Sequence, residues 1–197
     1  AYDNPKAYPA TSGFQVAFVV NRTDAAGETT FAEVEPVKIG GRTFDRMYVK
    51  MYNYDKIYIN GEKMVIQTCI TQTDEDFDFW NNLSEEDYVK TKDTLVSEVA
   101  ERIKKKFPEM SDSLEFLDAW TPVTYERYCG AYHGSYMSFV TTPMGKQIKM
   151  KGQLKGIKNL YLAGQWTNSP GGLRVAVASG KFAIQRILKK QKRNIDI

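Results

Sequence analysis

The sequence predicts an α+β fold in which a mostly antiparallel mixed sheet is joined to one long helix, and a strand, a loop and a second helix follow. Short apolar segments separated by turn residues fill the first half of the chain, which is typical of strands. A helical pattern begins at Ser84, and a Gly-rich stretch precedes another helical pattern near the C-terminus. We therefore expect a sheet domain over residues 1–156 and a strand-loop-helix unit over residues 157–197.

Apolar segments account for most of the predicted sheet: residues 13–20, 34–39, 46–52 and 63–71. Pro36 has no backbone N–H to donate, so its segment is predicted to lie at an edge of the sheet. Residues 57–59 precede Asn60 and Gly61, a pair typical of hairpin turns, so they are expected to pair with the segment that follows. This sheet is expected to be antiparallel.

Ser84 marks the start of the long helix. Its side chain suits the N-cap position, and Asp87 stands three residues later in place of the glutamate of a capping box. Apolar residues then recur at helical spacing until Pro108 ends the pattern: Tyr88, Leu95, Val99 and Ile103. Residues 114–120 are predicted to form a further strand.

The most informative segment lies near the C-terminus. Residues 159–164 favour a buried strand, a loop with Gly171 and Gly172 follows, and residues 173–189 have a helical pattern. Glycines let a ligand approach the backbone, and the first turn of a helix offers unpaired N–H groups and a positive dipole end. Such a unit is typical of cofactor sites, although an ordinary helix after a Gly-rich turn accounts equally well for the spacing. One face of this helix has small residues that allow close packing: Ala176, Gly180 and Ala183.

A stretch rich in Tyr and Gly begins at Thr121. Its tyrosines are Tyr125, Tyr128, Tyr132 and Tyr136. Because Tyr combines a large apolar surface with a polar tip, these side chains can line an apolar binding pocket. From the residues alone, a β-rich connection whose tyrosines pack at a domain edge is the favoured interpretation.

Composition excludes several classes of protein. The chain has 197 residues, 42% of them hydrophobic, which suits one domain or slightly more and excludes a disordered chain. No apolar run reaches the roughly 18 to 20 residues that span a bilayer, and the first residues lack a signal-peptide pattern. Cys69 and Cys129 are interpreted as buried thiols in a reducing compartment, which favours a cytoplasmic protein.

The charge pattern does not indicate a nucleic-acid partner. The net charge is +3, and the basic runs at residues 104–106 and 189–193 close helical patterns, where cations complement the helix dipole. His133 is the only histidine, so we interpret it as a loop residue and expect no metal site. The glycine fingerprint of dinucleotide-binding folds is missing, and the chain begins at Ala1 without an initiator Met. We therefore interpret it as the C-terminal part of a longer protein.

Two motifs give the chain a resemblance to a known family. Residues 159–166 read Asn-Leu-Tyr-Leu-Ala-Gly-Gln-Trp and are followed by Gly171-Gly172-Leu173 and Ser179-Gly180, while residues 121–128 read Thr-Pro-Val-Thr-Tyr-Glu-Arg-Tyr. In this order the motifs resemble the C-terminal half of the phytoene desaturase-like flavoenzymes, which include carotenoid desaturases and isomerases and retinol saturases. Weaker likeness runs from Ser12 to Arg186. The chain departs from the family pattern at Ser169-Pro170, where Pro-Gly is usual, and at Arg174, where Pro is usual.

The resemblance implies the C-terminal part of an FAD-dependent oxidoreductase that transfers a hydride to or from a C–C bond of a hydrophobic, polyene-like substrate such as a carotenoid or retinoid. It implies that residues 1–156 form a substrate-side domain and that the final unit completes a Rossmann-like FAD-binding domain. The residues expected to meet FAD are Gly164, Gln165, Trp166, Gly171, Gly172 and Leu173. The residues expected at the substrate are Tyr125, Tyr128, Tyr132 and Tyr136. The resemblance implies no particular catalytic residue.

The expected partners are the missing N-terminal FAD-binding part of the same polypeptide and a hydrophobic small molecule, with no nucleic acid. Peripheral contact with a membrane is left open beside the cytoplasmic location. The chain alone is expected neither to retain FAD nor to be active. Two alternatives remain, a flavin amine oxidase and a non-enzymatic sheet module that binds a partner along an exposed strand edge.

Overall fold

The computed structural model describes residues 4–21, 29–54, 56–148, 151–154 and 156–193. Contacts divide the chain into two compact units. One unit spans Gly13–Gly134, and the other joins the segment that ends at Ser12 to the residues from Ser135 onward. The domain boundary expected after residue 156 stays a prediction.

The described residues contain a six-stranded sheet. Its strands are β1 (Thr11–Val20), β2 (Thr29–Ile39), β3 (Arg42–Met51), β4 (Ile59–Asn60), β5 (Lys63–Thr73) and β6 (Glu115–Trp120). The order across the sheet is β2, β3, β5, β1 and β6, with β4 paired to β5. The pairs β2–β3, β3–β5 and β1–β6 are antiparallel, which confirms the predicted antiparallel sheet. The strand that contains Pro36, β2, lies at an edge, as its missing donor requires.

The long helix α2 (Glu85–Lys106) covers one face of the sheet. The backbone N–H of Asp87 donates to Ser84 Oγ at 3.1 Å, so the predicted N-cap and helix start are confirmed. A stripe of apolar side chains on α2 is buried in the core of the sheet: Leu95, Val96, Val99 and Ile103. They share that core with alternate residues of β1, namely Phe14, Val16, Phe18 and Val20.

The sequence pattern does not predict the short helix α1 (Asp74–Asn81). Its first turn consists of Asp74, Glu75 and Asp76, which favour the positive end of the helix dipole but are equally common in turns. Its eight residues are too few to show a helical period. Trp80 from this helix stacks on Phe14 with ring centroids 5.6 Å apart, which fixes α1 to the core.

The stretch from Thr121 is helical and not the β-rich connection favoured by its composition. Helix α3 (Pro122–Cys129) begins with a capping box in which the backbone N–H of Thr121 donates to Thr124 Oγ1 at 3.2 Å. Pro122 lies in the first turn, where its fixed φ suits a helix and no donor is lost. Gly130 ends the helix with φ 59°. These local signals outweigh the strand propensity of Val, Thr and Tyr.

The strand predicted at residues 159–164 is wrong. This segment has no regular secondary structure, and a 3-10 turn, Gln165–Thr167, follows it. The backbone N–H of Leu162 donates to Gly152 O at 2.8 Å, but no ladder of strand hydrogen bonds forms along the segment within the described ranges. An apolar run becomes a strand only where a neighbouring strand pairs with it, which composition cannot reveal.

The predicted C-terminal helix is confirmed as α4 (Gly172–Lys190). Ser179 and Ala183 are its buried residues, so the small side chains of one face lie against the rest of the unit. Four large apolar residues of α4 are exposed: Leu173, Val177 and Ile184, which share one helix face, and Phe182, which lines a cleft along the helix. No helix within the described ranges is both long and apolar enough to cross a membrane.

Candidate functional site

The segment that enters α4 contains all the residues expected to meet FAD. Gly164 has φ 133°, Gly171 φ 82° and Gly172 φ 78°. These are backbone conformations that residues with a side chain rarely adopt, so each position favours glycine for geometric reasons alone. Two of these glycines, Gly171 and Gly172, lie at the N-terminus of α4.

Ser179 fixes the start of this segment against α4. The backbone N–H of Gly164 donates to Ser179 Oγ at 2.8 Å, and Ser179 Oγ donates to Ala176 O at 2.7 Å. Thr167 Oγ1 also donates to Gly164 O at 2.8 Å. Both backbone polar groups of Gly164 are therefore satisfied from within the chain, and the turn is held in place by its own unit.

Gln165 caps α4 with its side chain. The N-cap residue, Gly171, has no side chain of its own, and the backbone N–H of Gly172 donates to Gln165 Oε1 at 3.2 Å. This amide oxygen takes the place of the usual Ser, Thr or Asp cap. The sequence contained no signal for this role, because the cap comes from seven residues earlier in the chain.

Gly171 and Gly172 have different surroundings. A Cβ at Gly171 would lie 2.5 Å from Ser138 Oγ and 2.7 Å from Ser138 N, so the protein itself fills that space. A Cβ at Gly172 would meet only Met137 Cε, at an ordinary 3.7 Å. Gly172, but not Gly171, therefore presents open backbone at the start of α4.

The same end of α4 is electropositive. Its first turn contains no acidic residue and carries Arg174, which adds a cation to the positive end of the helix dipole. A cleft of about 360 Å³ runs along α4 between Arg174 and Arg186. Its other lining residues include Gly152, Leu162, Asn168 and Phe182. Among the described residues, no carboxylate forms an ion pair with either arginine.

These residues fit a flat, electron-rich cofactor. Gly164 and Gly172 would have nothing closer than 3.7 Å to an added Cβ, so a ring can approach the backbone there. Leu173 is 81% exposed and gives an apolar surface beside the helix start. Trp166 packs with its ring centroid 6.5 Å from that of Phe139, so its place is fixed within the unit. That these residues bind FAD stays a prediction.

The tyrosines expected at the substrate occupy different environments. Tyr125 accepts a hydrogen bond from Trp120 Nε1 at 2.6 Å, and burial raises the pKa of its hydroxyl. Tyr128 is 74% exposed, with the Arg127 guanidinium 4.8 Å from its ring centroid. Those two residues belong to the unit Gly13–Gly134, together with Tyr132, whereas Tyr136 belongs to the other unit. Their role at a substrate stays a prediction.

His133 lies in the 3-10 turn Tyr132–Gly134 with φ 46°. Its ring stacks on Tyr132 and Phe77, with centroids 4.1 and 4.9 Å apart, which suits a packing residue. Cys69 is buried, as predicted, but the expectation that Cys129 is buried is wrong. Cys129 is the last residue of α3, directly before Gly130, and its position leaves it exposed.

The chain matches one described family and is similar to several named proteins. The family described as flavin containing amine oxidoreductase matches residues 6–188. A chloroplastic prolycopene isomerase of Daucus carota is 32% identical over 111 residues, covering 55% of this chain and 18% of the relative. That of Arabidopsis thaliana is 30% identical over 126 residues, covering 60% and 21%. An all-trans-retinol 13,14-reductase of Danio rerio is 27% identical over 108 residues, covering 52% and 18%.

The matched part therefore spans about a fifth of the length of these relatives. No solved structure matches the chain significantly.

Proposed function

The chain belongs to the flavin containing amine oxidoreductase family, and on that premise we propose that it is the C-terminal part of an FAD-dependent oxidoreductase. The proposed reaction transfers a hydride to or from a C–C bond of a hydrophobic, polyene-like substrate. Support comes from relatives whose names describe an isomerase of prolycopene and a reductase of retinol. Both names refer to polyene chemistry.

The observation that carries the proposal is the bare backbone at the start of α4. Gly172 is open on the side where a Cβ would stand, and the helix end beside it is positively charged. We assign contact with the cofactor to this turn, through Gly164, Gln165, Trp166, Gly171, Gly172 and Leu173. FAD, when bound, supplies the hydride exchange.

The chain's own residues then have three tasks. The N-terminal backbone of α4 stabilises negative charge next to it, because the helix orients its N–H groups and its dipole toward that end. Leu173 and Trp166 exclude water from that charge. Ser179 and Gln165 hold the turn in its binding geometry through the hydrogen bonds that they accept from Gly164 and Gly172.

We further assign the exposed side of α4 to contact with the FAD-binding part that precedes this chain in the full-length protein. Leu173 and Val177 are 81% and 67% exposed, and Ile184 continues the same helix face. An apolar stripe of this kind is usually covered by another element. Packing there would complete a Rossmann-like domain, while the sheet and the tyrosines form the substrate side.

The test uses the full-length protein. We expect it to purify with FAD, measured by absorbance after denaturation, and to convert a polyene into a product that differs by two hydrogens or in double-bond geometry. Mass spectrometry with chromatography detects both outcomes. A full-length protein that has no flavin and binds none would refute the proposal.

A flavin amine oxidase is the second candidate, because the matching family carries that description. Supplying a panel of primary amines and recording oxygen uptake with hydrogen peroxide formation distinguishes the two. Amine turnover without any change in polyenes would replace the first assignment with the second.

A further inference from the structure

A row of polar side chains crosses the sheet on the face opposite α2. Lys50 of β3 lies directly opposite Gln67 of β5, and Gln15 of β1 lies directly opposite Trp120 of β6. Gln67 Nε2 donates to Gln15 Oε1, which joins the two pairs. The residues next to them in sequence point the other way, into the core: Val49, Ile66, Val16 and Ala119.

Along this row each side chain donates a hydrogen bond to the next one. Tyr52 OH donates to Gln67 Oε1 at 2.6 Å, and Gln67 in turn donates to Gln15. Gln15 hydrogen-bonds to the hydroxyl of Tyr125, which also accepts from Trp120 Nε1 at 2.6 Å. Both amide oxygens are therefore used as acceptors inside the row. Each amide nitrogen has a second N–H, so the row offers donors to a ligand and needs acceptors from it.

Lys50 adds a positive charge at one end. Its Nζ lies 4.5 Å from the ring centroid of Tyr52 and 5.5 Å from that of Tyr54. Burial acts to lower the pKa of this ammonium group, but the hydrogen bonds and charge interactions with Tyr54 and Tyr52 outweigh it, so the pKa lies above its ordinary value. Lys50 is therefore charged at neutral pH, and no carboxylate of the described residues forms an ion pair with it.

An aromatic surface lies next to the ammonium group of Lys50 on this face of the sheet. Tyr48 stands two residues before Lys50 on the same strand and therefore on the same face. Its ring contacts that of Phe31 on the edge strand, with centroids 3.8 Å apart, and Phe31 is 63% exposed. A shallow cleft of about 230 Å³ is bordered by Phe31, Phe44, Tyr48 and Cys69, and also by Asp45 and by Arg46, which is ion-paired with Glu33. Aromatic surface beside a cation without a carboxylate partner suits a ligand that is apolar along its body and anionic at one end.

We propose that this face binds an apolar ligand through a terminal carboxylate, which Lys50 and the free amide N–H of Gln67 hold while the body lies on Tyr48 and Phe31. The identification of that ligand as the substrate rests on the proposed function, whereas the binding itself does not. A carboxylate fits because it accepts several N–H donors in one plane. A neutral hydrocarbon would leave the charge of Lys50 and the amide donors without an acceptor, at a cost in free energy.

The test compares three ligands with one polyene chain of about twenty carbons that ends in a carboxylate, an alcohol or a methyl group. Affinity for the full-length protein is measured by quenching of tryptophan fluorescence, a readout that does not depend on flavin. We expect the carboxylate to bind at least about tenfold more tightly than the methyl compound, with the alcohol between them.

Two variants test whether Lys50 and Gln67 are responsible for the preference for the carboxylate. Lys50→Met keeps the unbranched side chain up to the atom before the ammonium group and removes the charge, so it is expected to abolish the preference for carboxylate and leave the methyl compound unaffected. Gln67→Glu is nearly isosteric and places a negative charge in the row, with the same expected result. Lys38→Met, at an exposed lysine of β2, is the matched control and is expected to change nothing. Thermal unfolding of each variant checks that it is folded.

Equal affinity for the three ligands, or an unchanged carboxylate preference in Lys50→Met, would overturn the inference. Neither result bears on the proposed function, which is tested by flavin content and product formation. A full-length protein without flavin that still prefers the carboxylate would leave the inference standing and refute the proposed function.

Discussion

Gly172→Ala in the full-length protein separates cofactor contact from folding. An added Cβ would meet only Met137 Cε at 3.7 Å, so the chain itself has room for a methyl group. The remaining cost within the chain is the φ of 78°, which for alanine is about 1 to 2 kcal/mol. A loss of this size lowers the melting temperature by a few degrees in a domain of this length.

The cost for the cofactor is larger. If a flat ring approaches this backbone, the methyl group occupies the space in which the ring should lie, and the helix N–H groups are held away from it. We expect the affinity for FAD to fall by at least tenfold, about 1.4 kcal/mol, beyond the loss in stability. The assay titrates the apoprotein with FAD by fluorescence quenching, with melting temperatures measured in the absence of FAD.

Gly171→Ala is the matched control. Its Cβ would lie 2.5 Å from Ser138 Oγ and 2.7 Å from the Ser138 backbone nitrogen, in addition to a φ of 82°. The apoprotein is therefore expected to be destabilised more by Gly171→Ala than by Gly172→Ala. If Gly172→Ala keeps its full affinity for FAD while losing only the expected stability, the turn does not contact the cofactor and the reasoning is refuted.

Three further predictions follow from the same features. The 197-residue chain alone is expected to bind no FAD with micromolar affinity, because under the proposed function the remaining contacts come from an N-terminal FAD-binding part, and stoichiometric binding by calorimetry would contradict this. Tyr128→Ala is expected to lower kcat/KM for the polyene about tenfold in steady-state kinetics, roughly 1.4 kcal/mol, with flavin content and melting temperature unchanged because the side chain is 74% exposed. Gly180→Ala is expected to stabilise the isolated chain by about 0.5 to 1 kcal/mol in urea unfolding, since nothing lies within 4 Å of the added Cβ. The same substitution is expected to destabilise the full-length protein if another element packs closely against Gly180. Equal stabilisation of the isolated chain and the full-length protein would mean that no element packs there.

Local signals account for the part of the fold that the sequence predicts. The start of α2 depends on Ser84 and Asp87, which lie three residues apart and act directly on each other. The edge position of β2 follows from one proline, and the pairing of β4 with β5 follows from an Asn-Gly turn. Each of these signals lies within a few residues of the element that it specifies.

The structural features that the sequence does not predict depend on contacts between residues that are distant in sequence. Residues 159–164 have the composition of a strand but pair with no neighbouring strand within the described residues. The alignment of Lys50 with Gln67 depends on strand register, which a single sequence leaves open. The same holds for the cap that Gln165 provides to Gly172.

The family was predictable because its motifs are specific as an ordered pair. The resemblance drawn from residues 121–128 and 159–180 is confirmed by the family that matches residues 6–188 and by the prolycopene isomerase and retinol reductase relatives. The roles of individual residues are less accessible. A motif gives Gly171 and Gly172 equal weight, whereas the structure shows one glycine packed against Ser138 and the other open.

Hydrogen bonds within the chain organise the turn before α4, and this bears on how the turn can bind a ligand. Ser179 accepts a hydrogen bond from the backbone N–H of Gly164, and Thr167 donates one to the carbonyl of Gly164. Gln165 accepts a hydrogen bond from the backbone N–H of Gly172. Binding therefore does not have to pay the conformational entropy of ordering these two glycines, since glycine is the residue that loses most of it. The Gln165 bond is the longest of the three at 3.2 Å. The side-chain oxygen of Gln165 already accepts from the backbone N–H of Gly172, which belongs to the helix end. A ligand that binds this N–H must therefore displace the Gln165 oxygen, whereas a ligand on the open side of Gly172 leaves the hydrogen bond intact.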